Sequence, residues 1–156
     1  MGDHTEAFQV DYDPNVISYE DLLNIFWKSH NPCRPSWSIQ YRPAVFYHDK
    51  QQQQQAVETS KAFAKTGEIK TAILPVGEFY VAEDYHQKYW LQNRKSMAKE
   101  LHDYYPHFSD FVNSTVAARL NGYVGGDGTQ KLLQEELDQY GLSQKLQKAL
   151  SKMVKR

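Results

Sequence analysis

The hydrophobic pattern of the chain changes at about Glu83, and this change constrains the fold more than any other feature. Before it, short apolar runs of strand length alternate with amphipathic helical segments, and after it the spacing stays helical. The strand candidates are Glu6–Tyr12, Ala44–Tyr47, Thr71–Leu74 and Phe79–Val81. The pattern predicts an α+β fold, a two-layer α/β sandwich with a mixed sheet. We expect residues 1–156 to form a single domain, with a helical C-terminal extension over about residues 109–156.

Two helices are predicted in the first half of the chain. Ser18 begins the first, with Asp21 three residues later in a variant capping box, and Asn31-Pro32 ends it. The second runs from about Asp49 to Thr66, and Gly67 follows as a stop. Its expected inward-facing residues are Ala56, Val57, Ser60, Phe63 and Ala64.

The later helical region contains three predicted breaks. They lie at Tyr105-Pro106, at a glycine-rich loop from Asn121 to Gly128, and at Gly141-Leu142-Ser143. The glycine-rich loop lacks a preceding strand and the spacing of a dinucleotide site, so phosphate binding is rejected.

Composition excludes several functional classes. Eighteen basic and nineteen acidic residues leave a net charge of −1, which argues against general binding of nucleic acid or of an anionic membrane. Cys33 is the single cysteine, so neither an intrachain disulfide nor a cysteine zinc cluster can form, and the histidine spacing favours no metal. No long apolar run or signal pattern is present, so we expect a soluble cytoplasmic protein, with an upstream targeting segment left open.

The segment from Phe79 to Tyr89 combines chemistry that a surface loop rarely carries. Asp84 and His86 lie among four Tyr or Phe rings within eleven residues, just after a Pro-x-Gly turn. Such a mixture suits a pocket that is apolar but holds a few fixed hydrogen-bonding groups.

Five sequence blocks, in order, resemble the A-type peptide methionine sulfoxide reductases. The blocks are Gly2–Glu6 with Tyr12-Asp13-Pro14, Ile17–Leu23 with Phe26-Trp27, Gln40-Tyr41-Arg42 before Ala44–Tyr47, Ala82–Gln87, and Asn121-Gly122-Tyr123. The resemblance implies an oxidoreductase that repairs oxidised methionine by reducing its S-sulfoxide, free or in peptides. It also implies no bound cofactor and recycling by thioredoxin or a similar external thiol donor.

The resemblance assigns roles to five residues. Glu6 resembles the acid that faces the sulfoxide oxygen, and Tyr41 resembles the tyrosine that hydrogen-bonds the same oxygen. Asp84 and His86 resemble a pair in the pocket wall, and Tyr123 belongs to a substrate-binding block. Sulfoxide reduction needs a thiolate to attack sulfur and a donor to protonate the leaving oxygen, and a carboxyl group in an apolar pocket can be that donor.

Each role has a simpler alternative in which the residue only supports the fold. Glu6 is then a solvated carboxylate, Tyr41 packs with its hydroxyl in water, and His86 makes a structural hydrogen bond beside Asp84.

The family's nucleophile lies in a GCFWG motif, which this sequence does not contain. We therefore expect an N-terminally truncated form with little reductase activity of its own. Cys33, beside Arg34, is the one candidate nucleophile in the chain, although an incidental thiol is the favoured interpretation. The alternative function is a non-catalytic protein that binds oxidised methionine or regulates another chain.

Two structural expectations follow. A sheet without its full set of strands has an exposed edge, so self-association is expected. In addition, Glu6, Tyr41 and His86 are expected to converge on one cleft, although they come from separate elements.

Overall fold

The computed structural model describes residues 4–64 and 67–154. The chain forms two compact units, Met1–Phe79 and Tyr80–Arg156, and each has its own hydrophobic core. Helices dominate and the strands are few, which confirms the predicted α+β class.

The first unit contains two helices and two strands. They are α1 (Tyr19–Lys28), β1 (Ala44–Tyr47), α2 (Lys50–Lys61) and β2 (Ala72–Pro75). The predicted capping box begins α1: Ser18 Oγ accepts from the Asp21 N–H at 3.1 Å, and the Asp21 carboxylate accepts from the Ser18 N–H at 3.3 Å. The Ser18 hydroxyl also donates to the Asp21 carboxylate at 2.5 Å, and this bond, followed by the bond from the Ser18 N–H, lowers the pKa of Asp21. Two groups at the helix start that have no partner within the helix are thereby satisfied.

The sheet of the first unit is parallel. β1 pairs with β2 in a register that places Ala44 opposite Ala72 and Tyr47 opposite Pro75, and α2 connects the two strands. The expected mixed sheet is therefore a two-stranded parallel sheet over residues 4–64 and 67–154.

Two predicted strands are absent from the described residues. Glu6–Tyr12 has the alternation of a strand, but its one backbone bond to another segment joins the Glu6 N–H to the Gln40 carbonyl at 2.9 Å. Alternation does not make a strand unless a partner supplies a ladder of such bonds. Phe79–Val81 is also irregular, because all three side chains are exposed and no face is buried.

The core of the first unit is built around Trp27. Its ring is fully buried, its Nε1 donates to Thr59 Oγ1 at 2.9 Å, and it shares the core with Leu23, Val45 and Ala56. Helix α2 therefore packs through small residues against a large ring on α1.

The inward face of α2 was predicted only in part. Ala56 and Ser60 are buried, but Val57 is 41% exposed and Ala64 is exposed. Val57 follows Ala56 by one residue, which turns its side chain about 100° away from the buried face. Helix α2 ends at Lys61, whereas the predicted end at Thr66 lies outside the described residues.

His30 connects the end of α1 to the start of β2. Its Nδ1 lies 3.0 Å from the Phe26 carbonyl oxygen, and its Nε2 lies 2.8 Å from Thr71 Oγ1. Burial lowers the pKa of His30, and the bond to the Phe26 carbonyl opposes this only partly. The folded protein therefore favours the neutral imidazole.

Acidification is expected to destabilise the first unit through His30. Because its folded pKa lies below the unfolded value, the contribution is complete above about pH 6.5 and is lost as the pH falls from there toward the folded pKa. Urea unfolding at about pH 7.5 and 5.5 should show a smaller acid loss in His30→Gln than in the wild type. The exposed His48→Gln variant is the control, and an equal acid loss in His30→Gln and the wild type would contradict the assignment.

The second unit is helical throughout its regular structure. Its elements are a 3₁₀ turn (Asp84–His86), α3 (Tyr89–Gln92), α4 (Lys95–Tyr104), α5 (Phe108–Asn113), α6 (Thr115–Gly125), α7 (Gln130–Glu136), a second 3₁₀ turn (Leu137–Tyr140) and α8 (Gln144–Met153). Its core contains Leu91, Met97, Leu101, Phe111, Leu120, Leu133 and Leu150. The predicted breaks at Tyr105-Pro106 and at residues 141–143 are confirmed.

The predicted loop from Asn121 to Gly128 is wrong in its first half. Helix α6 continues through Gly125 and ends at Gly126, which has φ 103° and forms a left-handed cap. Leu120 and Tyr123 are both buried, so packing compensates for the poor helix propensity of glycine. Gly128 has φ 79°, and a Cβ there would lie 2.5 Å from Tyr123 Cε1, so this close approach requires glycine.

Candidate functional site

Glu6 is hydrogen-bonded to Gln40, the residue that precedes Tyr41. The Gln40 carbonyl accepts from the Glu6 N–H at 2.9 Å, and Gln40 Nε2 donates to Glu6 Oε1 at 3.0 Å. Backbone and side chain are thus both held by one residue. Glu6 and Tyr41, which are thirty-five positions apart, are brought to the same part of the first unit.

Two further hydrogen bonds tie the N-terminal segment to the same loop. Thr5 Oγ1 donates to the Ile39 carbonyl at 3.0 Å and accepts from Arg42 Nε at 3.0 Å. The segment that carries Glu6 is therefore fixed on both sides of Gln40. Sequence reasoning missed Gln40 as a positioning group, although it belongs to the block that contains Tyr41.

Tyr41 lies beside an exposed tryptophan. The ring centroids of Trp37 and Tyr41 are 5.5 Å apart, and the two residues are 85% and 52% exposed. Glu6 and Phe8 are also exposed, so the apolar pocket expected around the Glu6 carboxyl is not formed by the described residues. Instead, one loop carries the Tyr41 phenol and an open aromatic surface, and the Glu6 carboxylate is hydrogen-bonded to Gln40 of that loop. This set can hydrogen-bond an oxygen and contact a small apolar group.

Cys33 lies at a different position, next to the residues that follow α2. Its Sγ is half-buried and lies 3.4 Å from the Gly67 carbonyl oxygen and 3.8 Å from the Phe63 carbonyl oxygen, and its one S–H can donate to either. Attack on a substrate would require the sulfur to leave these backbone partners. This geometry supports the interpretation of Cys33 as an incidental thiol.

In the second unit, Asp84 and His86 lie on an exposed 3₁₀ turn. His86 Nε2 is 3.9 Å from a carboxylate oxygen of Glu83, and its ring centroid is 4.2 Å from that of Tyr85. The carboxylate nearest to His86 is thus Glu83 and not the expected Asp84. In a 3₁₀ turn, residues three apart lie on one side, whereas residues two apart do not.

Asn121 supports the start of α3 from the NGY block. Its Oδ1 accepts from the Leu91 N–H at 3.1 Å, a backbone donor in the first turn of a helix. Leu91 itself is fully buried. Asn121 of the NGY block therefore fixes the backbone just after the aromatic segment Phe79–Tyr89 within the second unit.

Tyr123, the predicted substrate-binding residue, lies in the core of the second unit. Its hydroxyl donates to Glu136 Oε2 at 3.0 Å, and the same carboxylate accepts from Tyr140 and pairs with Arg119 Nη2 at 2.8 Å. Burial, followed by the bond to Glu136, raises the pKa of both Tyr123 and Tyr140. The Tyr123 hydroxyl is therefore occupied by a structural partner.

Residues 4–64 and 67–154 contain no group of three or more His, Cys, Asp or Glu side chains that could hold a metal ion. No helix in this part of the chain has the length and apolar character needed to cross a membrane.

Comparison with known protein families decides the identity of the fold. Residues 1–120 match the family model described as peptide methionine sulfoxide reductase. The chain belongs to this family. A second model, described as the helical domain of selenoprotein methionine sulfoxide reductase A, matches residues 109–156. The resemblance to A-type peptide methionine sulfoxide reductases found in the sequence blocks is thereby confirmed.

Individual relatives agree with this assignment. A peptide methionine sulfoxide reductase of Drosophila melanogaster is 39% identical over 147 residues, which cover 92% of this chain and 58% of the relative. Peptide methionine sulfoxide reductase A5 of Oryza sativa subsp. japonica is 35% identical over 150 residues, which cover 89% of this chain and 58% of the relative. Peptide methionine sulfoxide reductase MsrA of Methanosarcina acetivorans is 44% identical over 96 residues, which cover 56% of this chain and 51% of the relative. The chain thus spans about half the length of the curated relatives that it matches.

In this member of the peptide methionine sulfoxide reductase family, the candidate groups are divided between the two units. Glu6 and Tyr41 lie together in the first unit, while Asp84, His86 and Tyr123 lie in the second. Convergence of Glu6, Tyr41 and His86 on one cleft stays a prediction.

Proposed function

We propose that this chain takes part in the thiol-dependent reduction of methionine S-sulfoxide, free or in peptides, by presenting Glu6 and Tyr41 to the sulfoxide oxygen. The observation that carries this proposal is Gln40, which binds Glu6 to the residue that precedes Tyr41 in a chain of the peptide methionine sulfoxide reductase family. A sulfoxide oxygen carries partial negative charge, so it accepts hydrogen bonds from a protonated carboxyl and a phenol. Trp37 adds apolar surface for the methyl group.

The reaction conserves atoms and electrons as follows. A thiolate attacks the sulfoxide sulfur, the oxygen passes to the thiol as a sulfenic acid, and methionine is released as the thioether. The proton that the oxygen needs as the sulfur–oxygen bond breaks is delivered through the Glu6 carboxyl group. An external dithiol of the thioredoxin type then reduces the sulfenic acid, forming a disulfide and water.

The hydrogen bonds of Cys33 argue that the attacking thiol is not its own. Because Cys33 is the one cysteine of the 156 residues, attack requires a thiol supplied from outside this sequence. The recognition half of the reaction is therefore what this chain contributes.

Turnover by the isolated chain is expected to be close to the uncatalysed rate. The assay follows reduction of a methionine S-sulfoxide peptide by dithiothreitol, with the Cys33→Ser variant alongside and a complete reductase of the family as the positive control. Equal, near-background rates for wild type and variant are expected. Turnover comparable to the complete enzyme that disappears in Cys33→Ser would make Cys33 the nucleophile and overturn this part of the proposal.

A second candidate function is binding of oxidised methionine without catalysis. The position of the one thiol in this sequence favours it, because Cys33 Sγ lies against two backbone carbonyl oxygens, away from the proposed recognition groups Glu6 and Tyr41. The coding sequence upstream of Met1 distinguishes the two functions. An in-frame GCFWG segment supports the reductase, and its absence from the mature message supports the binding protein.

We also propose a cytoplasmic location and self-association through the sheet. Across the described residues the sheet has two strands, so both β1 and β2 are edge strands with unpaired backbone groups on one side. Such an edge can accept a strand from a second copy of the chain.

A further inference from the structure

The turn that carries Asp84 and His86 is held by one side-chain amide. Gln92 Nε2 donates one hydrogen bond to the Asp84 carbonyl at 2.7 Å and another to the Gln87 carbonyl. Both partners are acceptors, so the NH₂ group and not the amide oxygen faces the turn. The two carbonyls belong to the first residue of the turn and to the residue that follows it, and one group therefore spans the turn.

The backbone is arranged so that Gln92 reaches back over this turn. Lys88 has φ 46° and ψ 45°, and it is the one non-glycine residue with positive φ in the part of the chain that the structure describes. A left-handed conformation is unfavourable for lysine and persists where surrounding contacts impose it. It reverses the chain between the turn and α3, and Gln92 is the last residue of α3.

The residue before Gln92 is held in place by packing and by a hydrogen bond. The preceding residue, Leu91, is fully buried, and its N–H donates to Asn121 on α6. On the other side of the turn, Gln87 Nε2 donates to the Ala82 carbonyl at 3.0 Å. The turn is thus connected to a packed helix through Gln92.

Nothing else in the described residues replaces this connection. No other side chain there bonds to the backbone of residues 84–87, and the side chains of Asp84 and His86 are exposed. The contacts of His86 with Glu83 and Tyr85 are made within the turn itself and do not orient it.

We propose that Gln92 is a positioning residue for the turn, and that it sets the orientation in which Asp84 and His86 meet the substrate. The second part of this inference, the contact of Asp84 and His86 with a sulfoxide, rests on the proposed function together with the pocket-wall role that the family resemblance implies for this pair. Its first part, the orientation of the turn, can be measured without substrate.

The test compares three variants of the full chain. Gln92→Met removes both donors at nearly constant length and without adding charge, and Gln92→Lys keeps a donor that can reach carbonyl oxygens. Gln134→Met, on the exposed surface of α7, is the matched control. If Gln92→Met does not fold, Gln92→Asn provides the same comparison, because its shorter amide cannot span the two carbonyls.

Two readouts separate positioning from general stability. The first is the NMR signal set of the His86 ring and the amide exchange of Gln87, recorded without ligand. The second is the Kd for N-acetyl-methionine-S-sulfoxide methylamide. Loss of two hydrogen bonds that orient a binding turn should raise this Kd about tenfold in Gln92→Met. The Kd of Gln92→Lys should be about threefold lower than that of Gln92→Met. Gln134→Met should match the wild type.

The possible outcomes distinguish the two parts of the inference. Unchanged His86 signals in Gln92→Met, or a lower melting temperature with an unchanged Kd, would overturn the positioning role. Shifted His86 signals together with no binding by the wild type would uphold the orientation of the turn by Gln92 and overturn the proposed contact with sulfoxide. Shifted signals with weaker binding, restored by lysine, would support both parts.

Discussion

Replacement of Trp27 by alanine is expected to lower the free energy of unfolding of the first unit by about 3–5 kcal/mol. Trp27 is fully buried and forms the centre of a small core with Leu23, Val45 and Ala56. Its removal leaves a cavity between α1 and α2, and Thr59 Oγ1 loses the Nε1–H donor. Because protein interiors are closely packed, the neighbouring side chains can fill such a space only in part.

The exposed Trp37→Ala variant is the matched control for Trp27→Ala. Trp37 is 85% exposed, so its replacement should change the free energy of unfolding by about 0.5 kcal/mol or less. Urea unfolding followed by far-ultraviolet circular dichroism measures both variants. Similar decreases in the free energy of unfolding of the two variants would show that the core does not depend on Trp27.

Replacement of Glu136 by alanine is expected to destabilise the second unit by about 2–4 kcal/mol. The Glu136 side chain is 16% exposed and accepts from the hydroxyls of Tyr123 and Tyr140 while it pairs with Arg119. Without it, two part-buried hydroxyls and the half-exposed Arg119 guanidinium lose their partner. The cost of these unsatisfied groups exceeds the value of any single hydrogen bond.

Glu135→Ala provides the control, because Glu135 is the neighbouring residue, is exposed, and makes only a long ion pair, with 3.9 Å between Lys131 Nζ and Glu135 Oε1. Its loss should cost about 0.5 kcal/mol or less, as for other exposed ion pairs. Tyr123→Phe combined with Glu136→Ala completes a double-mutant cycle, and a coupling of about 1 kcal/mol is expected. Additive effects of the two substitutions would contradict the network.

Local features of this chain were predictable from its sequence, since they depend on neighbouring residues. The Ser18–Asp21 capping box and the strand Ala44–Tyr47 follow from short patterns and form as predicted, and the strand predicted over Thr71–Leu74 forms one residue later, over Ala72–Pro75. The family could also be recognised, because its blocks are continuous in sequence.

Features that depend on distant partners were not predictable in the same way. Glu6–Tyr12 alternates like a strand, but a strand exists only with a partner, and here Gln40 supplies one backbone bond. Asn121–Tyr123 has the composition of a loop, but burial of Tyr123 keeps it helical. The span of Gln92 across its turn depends on the left-handed residue Lys88, which sequence reasoning did not identify.

The most direct test of the central claim is a titration of the ¹⁵N-labelled chain with one peptide in three forms: methionine S-sulfoxide, methionine R-sulfoxide and unoxidised methionine. The proposal predicts saturable shifts at the amides of Glu6, Gln40 and Tyr41 with the S-sulfoxide alone. It also predicts that Tyr41→Phe raises the Kd about threefold to tenfold, through loss of one hydrogen bond. Absence of shifts at these residues, or equal shifts with the unoxidised peptide, would contradict the assignment of Glu6 and Tyr41 to the sulfoxide oxygen.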